Sequence, residues 1–208
     1  MNKPLDGTYH PPAPNFYAGR GMVLATRANL PHWNKAQTAS FVTFRLADSL
    51  PREELQKLED LRSDWLAAHP QPWGESALRE YYSTFDGRIQ TWLDASHGSC
   101  VLRDAAASQI VEDVLWHFAG DRYALYAYVV MPNHVHVLFM PSEGWTLSET
   151  VASWKKFAAR RLNDKLGREG ALWQKESFDT LVRSERHFQT IVGYIKRNDP
   201  AKAWVAYR

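Results

Sequence analysis

Cysteine is nearly missing from this chain. Cys100 is the one cysteine among 208 residues, which excludes an internal disulfide and a four-cysteine zinc site. Such sparing use fits a reducing compartment. Long apolar runs are missing as well. No window approaches 18 consecutive apolar residues, so no segment is expected to span a membrane. The opening stretch, MNKPLDGTYHPPAPNFYAGRG, lacks the apolar core of a secretory leader. It reads instead as an extended arm rich in Pro and Gly. Repeats and low-complexity tracts are also absent. An excess of charge is missing overall, since the formal net charge is only +2.

What is present describes an ordinary globular chain. The sequence is 45% hydrophobic and 23% charged, which excludes whole-chain disorder. A chain of this length buries roughly 70% of the surface its unfolded form exposes and needs no covalent staple. The small net charge hides an asymmetry. Residues 151–208 hold 13 Lys and Arg against 6 Asp and Glu, a balance of +7, while residues 1–150 hold 12 against 17, a balance of −5. A basic C-terminal quarter suggests an anionic partner for that quarter, or a solvated basic helix face.

Periodicity orders the elements. Residues 38–46, TASFVTFRL, alternate and are rich in β-formers, so they predict a strand. A helix start follows at Ser49 to Glu53, and Leu55, Leu58, Leu61 and Trp65 continue it to about Ala68. Residues 76–95 look helical, with Gly87 weakening the pattern. A further helix is predicted over 104–119. Residues 122–131 and 134–140 form a hairpin around the turn residues Pro132 and Asn133. A helix over 146–166, a short strand over 178–183 and a last helix over 185–197 complete the chain. This order is α+β, an antiparallel sheet with helices on one face. The helices between 51 and 119 exceed a minimal crossover, so part of them is an insertion.

Three groups of residues can carry chemistry. In Asn133-His134-Val135-His136-Val137, alternate side chains of a strand share a face, so His134 and His136 point the same way. Two imidazoles on one rigid face can hold a metal, with a third ligand required from elsewhere. The bland alternative is a solvated polar face, against which the flanking apolar runs argue. In the last helix, Tyr194 and Asn198 lie one turn apart. The apolar pair Ile191 and Ile195 places that face at the border of the core. Tyrosine can be a nucleophile and an asparagine carbonyl can ligate a hard metal. In Trp154-Lys155-Lys156-Phe157 with Arg160-Arg161, cations and rings interleave, the composition of a nucleic-acid surface or of an amphipathic helix. Nine tryptophans are spread along the chain, so most belong to the core. Tyr126 and Tyr128 are expected to share a strand face, and Tyr207 to lie in a tail.

The strings YVVMPNHVHVLF, SWKKFAARRLN, LWQKESFDTLVRSERHF and GYIKRN stand in the order and approximate spacing of the REP-associated tyrosine transposases. The chain resembles this family, relatives of the single-tyrosine insertion-sequence transposases of the HUH endonuclease superfamily. The resemblance covers about 120–203, and TASFVTFRLADSLP resembles the family's first strand. It implies a ferredoxin-like domain over 38–208, an arm over 1–37 and an inserted helix and loop at about 69–100. By position, His134 and His136 match the metal pair, Asn198 the third ligand and Tyr194 the nucleophile. The implied activity is a cut in single-stranded DNA beside short hairpins, giving a 5′-phosphotyrosine and a free 3′-OH. Mixed nitrogen and oxygen ligation suits Mg²⁺ or Mn²⁺. Lys155, Lys156, Arg160 and Arg161 are candidates for DNA phosphates. The implied protein is cytoplasmic and nucleoid-associated, a monomer or homodimer with no membrane partner. Two departures stand out: Asp199 is inserted before Pro200, where it extends the helix or offers a competing carboxylate, and residues 69–100 are longer than in the shortest members. The competing readings are a hairpin-binding module without strand transfer, and an unrelated metal hydrolase needing another histidine or carboxylate nearby.

Overall fold

The fold is built on two strands, each buried on both of its faces. In β4 (Tyr123–Val130) and β5 (His134–Pro141), every residue is buried. Continuous burial of this kind requires cover on both faces of a sheet. The computed structural model describes residues 9–17, 24–27, 31–34, 37–70, 76–77, 80–81, 84–85, 93, 95–199 and 203–206.

Two short strands come first, β1 (Leu24–Arg27) and β2 (Pro31–Asn34), paired antiparallel. The expected arm therefore contains a hairpin that its composition did not announce. Strand β3 (Ser40–Arg45) leads into α1 (Arg52–Ala68). A 3₁₀ turn at Val101–Arg103 precedes α2 (Ala105–His117), which is N-capped by Asp104. After β4 and β5 come α3 (Leu147–Leu166), β6 (Phe178–Leu181), α4 (Glu185–Asn198) and β7 (Trp204–Val205). Five strands form one sheet in the order β6-β3-β5-β4-β7, with every pairing antiparallel. With α1 set aside as an insertion, the chain from β3 to β6 runs βαββαβ, the ferredoxin-like order, as expected. The expected helix over 76–95 falls largely outside the described residues. Of it, Tyr81, Phe85 and Leu93 are buried against Leu50, Leu58 and Trp65.

The expectation of helices on one face holds for the two crossover helices and not for the last one. Helices α2 and α3 pack on the face carrying Val42, Phe44, Val135, Val137 and Phe139. Helix α4 packs on the opposite face, where Phe188, Ile191, Val192 and Ile195 meet Tyr126, Val129, Leu138 and Met140. The physical reason is the continuous apolar run of β4 and β5, whose second face would otherwise be exposed. A single α4 covers it with one apolar stripe.

The shared face expected for Tyr126 and Tyr128 also fails. A β-bulge between Leu125 and Ala127 inserts one residue into β4, and an extra residue reverses the alternation. Tyr126 faces α4, with its ring 5.3 Å from Phe188. Tyr128 faces α2, donating to Glu112 Oε2 at 2.8 Å and accepting from Trp116 Nε1 at 3.2 Å. Beside the bulge, the Leu125 N–H donates to the Tyr9 hydroxyl at 2.8 Å. Tyr9 is wedged between Trp116 and Trp204, and Phe16 packs on Phe188. The described part of the arm is thus docked on the sheet.

Helix α3 is fixed from within. Thr146 and Glu149 form a reciprocal capping box at its start, and Gly167 ends it in the left-handed region. Trp154 Nε1 donates to the Tyr123 hydroxyl at 2.9 Å, and that hydroxyl donates to the Leu115 carbonyl at 2.7 Å. One phenol thereby ties α3, β4 and α2 together. No helix among the described residues is long and apolar enough to cross a membrane.

Candidate functional site

Register brings His136 against a residue 93 positions away in sequence. Strand β3 pairs with β5 so that Thr43 lies opposite His136 and Arg45 opposite His134. The Thr43 hydroxyl sits 2.8 Å from His136 Nδ1. The Asn133 side-chain oxygen sits 2.7 Å from His134 Nδ1. With both Nδ1 atoms engaged, the two Nε2 atoms converge at 3.0 Å. Asn133 is itself held by the end of the inserted segment, because its Nδ2 donates to the His97 carbonyl at 3.0 Å. Beside it, Leu102 N–H donates to the Pro132 carbonyl. Gly98 permits this docking: its φ is +88°, and a Cβ there would lie 2.3 Å from the Asp48 carbonyl oxygen.

Helix α4 delivers the phenol. Ser184 caps its first turn by accepting from His187 N–H. The buried stripe Phe188, Ile191, Val192 and Ile195 seats it on the sheet and leaves Tyr194 half-buried at the rim. The Tyr194 hydroxyl lies 3.2 Å from His136 Nε2. Phe41 stacks on the His136 ring at 5.4 Å and meets the Tyr194 ring edge-on at 6.0 Å. Asn198, one turn on, donates to the Tyr194 carbonyl at 3.3 Å. Asp199 does not extend the helix: it is the C-cap residue, in extended conformation. Its carbonyl accepts from Ala203 N–H. The structure thus brings His134, His136 and Tyr194 into contact, with Asn198 on the adjoining turn.

Both imidazoles are held neutral. Burial pushes His134 down to about 3. Burial, and then His134, push His136 well below its ordinary value. Neutral rings with engaged Nδ1 atoms present bare nitrogens to a cation, the usual arrangement around a ligating histidine. The 3.0 Å separation equals the span of neighbouring ligands around an octahedral ion with bonds of about 2.1 Å. The donor set therefore fits a divalent metal. Among the described residues no group of three or more His, Cys, Asp or Glu could hold a metal.

The four basic candidates separate. Lys156 and Arg160 are exposed on α3. Arg161 pairs with Asp113 of α2 at 3.0 Å, both half in solvent, a bond worth little by itself. Lys155 turns toward a cavity of about 410 Å³ between α3 and residues 170–177. It donates to the Lys175 carbonyl at 2.7 Å, and burial lowers its amine to about 8. Thr43 and Phe41 had no role in the sequence reading, and Asn133 had one only as a turn residue and the start of the histidine string. The alternation of TASFVTFRL already put Phe41 and Thr43 on one face, but only the β3–β5 register shows that His136 lies opposite.

A transposase-type role in DNA processing follows from comparison with known families. Residues 101–198, from the 3₁₀ turn to Asn198, match the family model described as IS200-like transposases. The match includes both histidines and Tyr194, and leaves β3 and α1 outside it. No curated protein matches. Several solved structures are similar, among them two transposases. One is a REP-associated tyrosine transposase bound to a REP hairpin, 16% identical, covering 82% of this chain and 72% of that one, with a TM-score of 0.49. The other is a provisional transposase from Deinococcus radiodurans R1, 17% identical, covering 88% and 97%, with a TM-score of 0.34. Likenesses this distant carry no argument about substrate or mechanism.

Proposed function

We propose that the chain is a divalent-metal-dependent endonuclease and strand transferase for single-stranded DNA beside hairpins, acting through a phosphotyrosine on Tyr194. The observation that carries this reading is the Tyr194 hydroxyl at 3.2 Å from His136 Nε2, beside two Nε2 atoms 3.0 Å apart. A nucleophile and a metal-ligating pair are then within reach of one phosphate. His134, His136 and Asn198 would hold Mg²⁺ or Mn²⁺. When bound, such an ion supplies Lewis-acid polarisation of the scissile phosphate.

The chain's own residues account for the rest. Phe41 and the seated α4 hold the phenol oxygen for in-line attack, which needs an approach of about 3–3.5 Å. The Tyr194 oxygen forms a bond to phosphorus, and the bond from phosphorus to the 3′ oxygen breaks. The phenol proton is lost to solvent and the departing 3′ oxygen takes one up, so the protons balance. The phosphotyrosine ester keeps the bond energy for rejoining to another 3′-OH. Lys156 and Arg160, exposed on α3, are the residues we assign to DNA phosphates. Hairpin preference comes from the family resemblance.

A module that binds hairpins without strand transfer would need a distorted nucleophile helix. Asp199 lies beyond the last helical residue, which argues for the active form. The test is a denaturing gel of end-labelled hairpin oligonucleotides incubated with the full chain and Mg²⁺. A slow-migrating protein–DNA adduct on single-stranded hairpin substrates, and none on blunt duplex, is expected. Binding without adduct or cleavage selects the module instead.

A further inference from the structure

The cavity beside Lys155 is lined by groups that the proposed cutting step does not use. It measures about 410 Å³ between α3 and residues 170–177, within the size range of pockets that take small organic groups. Leu147, Val151 and Leu172 supply apolar wall. Three polar side chains interrupt that wall, and each can donate: the Lys155 amine, the Ser148 hydroxyl and the Trp173 indole. Trp173 is 6% exposed. Neither its Nε1 nor the Ser148 Oγ has a hydrogen-bond partner among the described residues. Buried polar groups are nearly always paired, so two orphans in one lining point to an acceptor that comes from outside the chain. The Lys155 amine gives one hydrogen to the Lys175 carbonyl at 2.7 Å and keeps two.

Position ties this cavity to the catalytic end of the sheet. Gln174, also in the lining, is fastened to the chain at the end of β3. Its N–H donates to the Arg45 carbonyl at 2.9 Å and its Nε2 to the Ala47 carbonyl at 3.1 Å. Arg45 pairs in register with His134. The cavity wall thus begins one strand away from the histidine pair, on the side where α3 packs. Lys156 and Arg160 follow the lining residues Lys155 and Ala159 by one position, about 100° round the helix, and are exposed. A strand held by those two cations would pass the cavity mouth.

An apolar slot edged with donors suits a flat ring edged with acceptors. Inorganic phosphate would leave the apolar wall unmatched, and an amino-edged ring would set donor against donor. Thymine carries a carbonyl acceptor next to a methyl group, which matches both parts of the lining. Pairing in a duplex would occupy that carbonyl, so the base must be unpaired. Resting on the single-strand reading above, we propose that this cavity receives one unpaired keto base of the bound strand, thymine in preference to adenine or cytosine, with its carbonyl oxygen taken by Trp173, Ser148 and Lys155. The Lys155 amine, lowered by burial to about 8, is still mostly charged at pH 7 and strengthens the set.

The experiment uses the full chain in EDTA, so that cleavage does not enter. Fluorescence anisotropy measures affinity for one hairpin oligonucleotide with short single-stranded flanks made of thymine, adenine or cytosine alone. Wild type should bind the thymine flanks roughly tenfold more tightly than either other kind. Trp173→Phe keeps a ring in the core and removes the N–H. Ala152→Phe fills the cavity from an exposed position of α3 that lines it. In both variants the preference for thymine should shrink to within about twofold, while affinity for adenine flanks stays within about twofold of wild type. A merely structural Trp173 leaves the preference intact. Equal affinity of wild type for all three flanks overturns the proposal, as does an undiminished thymine preference in Ala152→Phe. If wild type binds none of the three, the single-strand reading itself falls, a different failure that the wild-type titration alone reveals. Should Trp173→Phe not fold, Ala152→Phe decides.

Discussion

Acid should destabilise the metal-free protein through two groups in particular. His134 and His136 are buried and neutral, with folded-state values far below the ordinary 6.5. A lowered value means that the unfolded chain binds protons more readily than the folded one. Stability from this source is therefore complete above about pH 6.5, and falls as pH drops below it toward the folded-state value. At pH 5 the folded rings are still neutral while the unfolded ones are largely charged. Each histidine then contributes a loss of about 2 kcal/mol relative to pH 7, or about 4 kcal/mol for the pair. The assay is urea unfolding in EDTA at pH 7 and pH 5. The reference is a double variant, His134→Gln with His136→Gln, which has nothing to protonate there. Wild type should lose about 4 kcal/mol more than the variant over this interval. Equal losses would refute the claim that the pair is held neutral by burial.

Three further outcomes follow from particular contacts. Tyr9→Phe removes the acceptor of the Leu125 N–H at the bulge and should cost about 1–3 kcal/mol, read as a lower melting temperature. Gly98→Ala forces a Cβ to within 2.3 Å of the Asp48 carbonyl oxygen at a φ of +88°. It should cost about 2 kcal/mol and weaken Mn²⁺ binding, because the His97 carbonyl that holds Asn133 moves with it. Lys156→Ala and Arg160→Ala should weaken binding to single strands of any sequence, each lowering the salt slope by about 1. An unchanged slope in a filter-binding titration contradicts their contact with phosphates.

Local periodicity carried much of this molecule. Two imidazoles at i and i+2 on a strand, and a phenol and an amide at i and i+4 on a helix, are features a period alone places on a face. Their meeting depended on packing over long sequence distances. Tyr194 reaches His136 only because α4 covers the second face of the sheet, and the unbroken apolar character of β4 and β5 was the signal for that cover. Thr43 and His136 meet through a strand register that no local pattern encodes. The reversal of Tyr126 and Tyr128 came from a single bulged residue, which leaves no mark in an apolar run. The docking of Tyr9 was invisible for a different reason: a Pro-rich segment without periodicity offers no face to assign.

Peptide mapping of the trapped protein–DNA adduct tests the central claim most directly. The full chain is incubated with a single-stranded hairpin oligonucleotide and Mg²⁺, digested, and the modified peptide sequenced by mass spectrometry, beside Tyr194→Phe. Loss of one hydroxyl changes almost no volume at a half-buried rim position, so the variant should fold and bind DNA. The account predicts phosphotyrosine on Tyr194 in the wild type and no adduct in Tyr194→Phe. An adduct on Tyr207 or Tyr128, with Tyr194→Phe still forming it, would contradict the account.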